Sequence, residues 1–166
     1  MLYMVCIIIV ILVVLAIFLF LKVSKLKDIN KSLEICASKI NDILEEKLNL
    51  VNKLLKNIKE EKIKKEFSYS EDYNIYEKEN ALFNVSFNIN KYVKDNNIKK
   101  LKEKVHELNV LEESLDGLKD FYNANVLNYN ELFLKRYLNK FYRLMKFKDY
   151  KSFKIRKLEE YEIFKN

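Results

Sequence analysis

The chain has 166 residues and a formal net charge of +7, which suits one ordinary domain with an appendage and is too short for two full cores. A single glycine, Gly117, excludes the glycine-rich loops that bring backbone against phosphates, and a single histidine, His106, leaves nucleophile and base sites without their usual base. With no Pro and almost no Gly to make turns, an all-β fold is excluded and an all-α protein is expected.

Residues 1–21, MLYMVCIIIVILVVLAIFLFL, carry no charge, and as a helix they would be roughly 31 Å long, the thickness of bilayer hydrocarbon. No Lys or Arg precedes the run and no small-residue cleavage site ends it, so a retained anchor is expected in place of a cleaved leader. Lys22, Lys25, Lys27 and Lys31 follow, with Asp28 the one acid among them. Basic flanks stay cytoplasmic, which predicts an outside N-terminus and a cytoplasmic remainder. Those juxtamembrane lysines are also candidates to hold anionic lipid headgroups, at about 1 kcal/mol each. Cys6 in the run and Cys36 beyond it read as small apolar fillers on the reducing side.

From Ser24 to about Lys65, apolar residues at Leu26, Ile29, Leu33, Cys36, Ile40, Ile43, Leu50 and Leu54 alternate in spacings of three and four, the seam of a helix about 40 residues long. Lys47 interrupts this seam. The favoured reading is that its stem covers apolar surface while the ammonium reaches water; a buried ion pair or a ligand contact are the alternatives. Residues 66–76 read as a connection, and residues 77–94 as a helix, since an isolated strand would leave its backbone unpaired. A second long helix is predicted from near Asn97, with Ile98, Leu101, Val105, Leu108, Leu111, Leu115, Leu118, Tyr122, Val126, Tyr129 and Phe133 on one stripe. It is expected to continue towards Met145, with a final helix in the tail. The domain reading is an anchor (1–21), an elongated antiparallel helical bundle (22–153) and a basic, aromatic tail (154–166).

Two features invite a functional reading. Tyr122–Asn123 and Tyr129–Asn130 lie seven residues apart, so Tyr122, Val126 and Tyr129 share a stripe with Asn123 and Asn130 along its edge. A shared ligand face is one reading. The favoured one is a polar layer that sets how this helix packs on the first, near Lys47. Residues 135–157 hold ten basic residues, among them Arg136, Lys140, Arg143 and Lys146, against Asp149 alone, a net of +9. A solvated face, an anionic protein or lipid partner, and nucleic acid compete, although no nucleic-acid reading motif is present. If the helices run up, down and up, this segment ends roughly 60 Å from the bilayer, far beyond electrostatic reach. Glu103 and His106 form one Glu-x-x-His half-site, but the di-iron bundles need two such motifs, so no metal and no cofactor are expected.

"FYNANVLNYNELF" resembles the signature of the LemA family, bacterial single-span membrane proteins with a helical cytoplasmic domain. The resemblance extends to Glu112, Phe147, Lys148 and Phe153, and in "SKINDILEEKLNLVNKLL" to Ile40, Leu44, Leu50, Val51 and Leu54, with Lys47 where the family usually has Arg. Tyr92 aligns with a Tyr-Pro of the middle helix, though Val93 stands for the Pro. Arg136 and Tyr137 replace a Phe-Pro, and Tyr142 and Lys146 replace small residues. The resemblance implies a membrane-anchored helical bundle of no established biochemical activity; with the uncharged run, the two long helices and the lack of a catalytic constellation, the expectation is a non-catalytic scaffold in the bacterial inner membrane, with an unidentified protein partner and a homo-oligomer as an option.

Overall fold

A computed structural model describes residues 2–58, 60–133, 147–156, 160 and 162–164. Among these the protein is all-helical. Helix α1 runs Leu2–Asn57, α2 Glu61–Glu66, α3 Ile75–Asp95 and α4 Lys102–Phe133, with short 3-10 turns at Lys99–Leu101 and Glu162–Phe164. The ambiguous stretch at 77–94 is thus helix. The expected continuation of α4 to Met145 lies outside the described residues.

α1 carries the uncharged run straight into the seam, and it is the one described helix long and apolar enough to cross a membrane. It stops at Asn57, not near Lys65. Ile58 still donates its N–H to the Leu54 carbonyl (3.1 Å) and is buried, after which the helix gives way and α2 starts afresh at Glu61. Neither Gly nor Pro marks the break.

α3 begins with a capping box. The Asn74 side chain accepts from the backbone N–H of Tyr76 and Glu77 (3.0 and 3.1 Å), and the Glu77 carboxylate accepts the Asn74 N–H in return (2.9 Å). It ends with Asn97 at φ 48°, the left-handed position that Asn tolerates in place of Gly. There Asn97 N–H donates to Lys94 and Ile98 N–H to Val93, which satisfies carbonyls that the last turn would leave open.

The chain forms two compact units, residues 1–35 with 123–151, and residues 36–122 with 152–166. In the first, Val23, Leu26 and Leu33 of α1 and Val126 and Tyr129 of α4 are buried. In the second, Cys36, Ile40, Leu44, Val51 and Leu54 of α1 are buried with Leu82, Phe83, Val85, Ile89 and Val93 of α3 and Val105, Leu108, Leu115 and Tyr122 of α4. Partner positions fall on α4 as they rise on α1: Cys36 Sγ donates to the Leu118 carbonyl, and Lys47 pairs with Glu112. α4 therefore descends against α1 where they meet, and does not rise beside it as an up-down-up course requires.

The tail departs from expectation. Residues 147–156 form no helix. Phe153 and Arg156 are nevertheless buried, and Phe164 packs on Phe83 (5.5 Å between rings), so residues expected to be a separate tail belong to the second unit.

Candidate functional site

The second unit holds a cluster of buried charges, and Glu79, Lys119 and Lys47 come from helix positions where the apolar pattern predicts a hydrocarbon side chain. Glu79 lies two residues after the capping-box Glu77, on the buried face that continues through Leu82, Ser86, Ile89 and Val93. Lys119 falls on the α4 stripe between Leu115 and Tyr122. Lys47 interrupts the α1 seam, and Arg156 arrives from the non-helical tail.

Lys47 is fully buried and paired with Glu112, itself 1% exposed. Its ammonium does not reach water, which corrects the favoured reading: at this depth in the seam the stem is too short to carry the charge out, and a carboxylate comes to it instead. Burial pushes the Lys47 pKa down, against the opposing pull of Glu112. Lys119 Nζ lies 2.9 Å from Glu79 Oε1 and 2.8 Å from Asp116 Oδ1. Burial works against its charge, but the carboxylates of Glu79 and Asp116 outweigh it and hold the pKa above the ordinary lysine range.

Arg156 completes the cluster. Its Nη2 donates to both Glu79 oxygens (3.1 and 3.0 Å) and to Asn80 Oδ1 (3.4 Å), while the guanidinium lies over the Phe83 ring, 3.5 Å from its centroid. Three cations (Lys47, Lys119, Arg156) thus face three carboxylates (Glu79, Glu112, Asp116). Among the described residues, Glu112 Oε1, Asn109 Oδ1 and Arg156 Nε are buried without a hydrogen-bond partner.

Beside the cluster, Phe153 enters an aromatic slot, 4.7 Å from the Tyr76 ring and 5.1 Å from the Tyr122 ring. The Tyr76 and Tyr122 hydroxyls meet at 3.1 Å. Asn109 Nδ2 donates to the Phe164 carbonyl at 3.1 Å.

The Tyr-Asn stripe is therefore divided between partners. Tyr122 serves this slot, whereas Tyr129, in the first unit, donates to the Lys148 carbonyl (2.8 Å) and packs edge-on to Tyr150 (5.1 Å). Burial chiefly, with Tyr150 and Asp149 adding to it, raises the Tyr129 pKa. Val126 is buried, and Asn123 and Asn130 are half-buried. Lys47, near which a polar layer was expected, pairs with Glu112. Lys22 stacks on Phe18 (4.7 Å), and Lys25 and Lys27 are exposed on α1. Arg136, Lys140, Arg143 and Lys146 lie outside the described residues. Glu103 and His106 are exposed on α4.

Sequence reasoning missed Glu79, Lys119 and Arg156. For the first two the signal was present, a charge on an apolar stripe, as at Lys47; Arg156 sits in a segment with no periodicity to set it against. Comparison with protein-family models, curated proteins and solved structures finds no match for this chain.

Proposed function

We propose that the protein is a membrane-anchored, non-catalytic helical interaction module, an elongated antiparallel bundle held at the cytoplasmic face of a bacterial inner membrane by residues 1–21. The observation that carries this reading is the exposure of the apolar run. Ile7, Val10, Leu12, Phe18 and Leu21 are each more than half exposed, so the helix needs hydrocarbon around it, and the first charge, Lys22, marks where it ends. The enclosed ion cluster supports a structural use of its charges, since Lys47 is sealed from any substrate. The LemA resemblance belongs to this reading. Two positions it singles out far apart in sequence, Lys47 and Glu112, meet as a buried pair.

Carbonate extraction of bacterial membranes tests the placement. The protein stays in the pellet, and an impermeant reagent labels a tag at the N-terminus but not one at the C-terminus; release into the supernatant, or labelling only from inside, overturns it.

One observation favours a second reading, that the basic segment 135–157 meets anionic lipid. Within the first unit the Tyr150 hydroxyl donates to Asn30 Oδ1 (2.7 Å), and Lys148 lies 3.7 Å from Glu34. Asn30 is nine helical residues past Leu21, about 14 Å along α1, so this part of the segment is held far closer to the apolar run than the 60 Å that an up-down-up course gives. In the same preparations, preference for anionic over neutral lipid should fall with salt and on neutralising Arg136, Lys140, Arg143 and Lys146. A flat salt response sinks it.

A further inference from the structure

Residues 152–156 sit in the second unit as a peptide sits in a receptor. Only Phe153 and Arg156 are buried; Ser152, Lys154 and Ile155 face outward, and Ile155 is 83% exposed. A segment selected for core packing would bury its isoleucine before its arginine. Here two anchors three positions apart enter two unlike pockets, the slot between Tyr76 and Tyr122 and the carboxylate of Glu79 roofed by Phe83.

The arginine pocket also has a charge requirement. Without Arg156 the cluster keeps three carboxylates against Lys47 and Lys119, and Glu79, 1% exposed, must share Lys119 with Asp116. Asp116 is partly exposed, so the demand is local to Glu79, a buried carboxylate left with one shared ammonium and room for a second cation. The flat ring beneath and the two oxygens in front suit a guanidinium better than an ammonium, because only the former stacks through its planar face while donating at its edge.

We propose that the groove between α3 and α4 is a receptor for an extended peptide with an aromatic residue and, three positions later, an arginine, presented by a partner protein, and that residues 153–156 occupy it in cis. Tethering gives the chain's own segment a local concentration in the millimolar range, so the groove is closed at rest and a partner segment engages it by displacing this one.

The test uses the full-length chain in lipid nanodiscs and, as probe, a fluorescein-labelled peptide of residues 151–156 (Lys-Ser-Phe-Lys-Ile-Arg), followed by anisotropy. Phe153→Ala with Arg156→Ala vacates the groove, and this variant binds the peptide saturably, whereas the wild-type chain binds it at least about tenfold more weakly because its groove is filled. Changing the peptide's arginine to lysine, or adding Glu79→Gln to the protein, weakens binding by at least about tenfold. Absence of saturable binding to a vacated variant that keeps the wild-type helical circular dichroism overturns the proposal, as does equal binding of the lysine peptide. Where the double variant fails to fold, Arg156→Lys serves, since it keeps the cluster's charge balance while loosening the latch. That chain binds the probe more tightly than wild type, and equal binding overturns the proposal.

Discussion

Lys47 and Glu112 give up their hydration together, and each is tolerated in the core only because the other is there. Removing one partner leaves a buried charge alone, at a cost of about 3–5 kcal/mol, while replacing both by hydrocarbon is neutral or better. The two single losses should differ. Burial already drives Lys47 towards its neutral form and Glu112 opposes that drift, so in Glu112→Gln the lysine sheds its proton and moderates the penalty. In Lys47→Met the carboxylate, whose Oε1 already lacks a partner, loses the hydrogen bond at Oε2 as well. Urea denaturation of the purified chain should therefore show Lys47→Met as the costlier single change and Lys47→Met/Glu112→Leu close to wild type. Additive costs in the double variant would refute the coupling. That Lys47 lies on the seam was legible in the sequence; that a carboxylate 65 residues away answers it was not, because periodicity reports which face a residue is on and not what lies opposite.

At the scale of the element, helices with a sustained apolar period were the easiest to read. Leu26, Leu33, Cys36, Ile40 and Leu54 of α1, and Val105, Leu108, Leu115, Val126 and Tyr129 of α4, are buried as their spacing requires. The end of α3, read at Lys94, falls at Asp95, and Asn97 takes the left-handed position beyond it. The end of α1 was not legible, since Leu55-Lys56-Asn57-Ile58 contains no breaker and the stop is set by where Ile58 finds burial. Residues 152–156 escaped for a different reason: two side-chain anchors, Phe153 and Arg156, hold them, and two anchors make no period. α4 also carries an avoidable cost. Gly117 lies mid-helix on an exposed face, and a Cβ added there meets nothing within 4 Å. Gly117→Ala should then stabilise the protein by about 0.5–1 kcal/mol, read as a higher urea midpoint at unchanged slope. A loss of stability would mean that this face is covered in the native protein.

For the whole molecule, composition sufficed to predict helices and one apolar N-terminal helix long enough to cross a membrane, but the course of the helices needed the contacts, since Leu-rich stripes pack in either direction. The same contacts shape the response to pH. The carboxylates around Lys119 outweigh its burial and leave its folded pKa above 10.5, so between the unfolded and folded values the native state holds a proton that the unfolded chain has released. Tyr129 has the same sign, because its buried phenol keeps its proton, and its bond to Lys148, beyond the ordinary value of 10.0. Both contributions are complete below pH 10 and are lost as pH rises through the folded values. Lys47 acts oppositely: its lowered pKa means that, up to its ordinary 10.5, the unfolded chain binds the extra proton and stability rises with pH. Urea midpoints taken from about pH 8 upward should accordingly turn downward above about pH 10. Tyr129→Phe and Lys119→Met should each flatten the descending limb, although each lowers the midpoint at neutral pH. Lys47→Met leaves that descent in place and removes any rise before it. A midpoint indifferent to pH above 10, or a descent unchanged in both the Tyr129 and Lys119 variants, would show that these two groups are not what ties the fold to its protons.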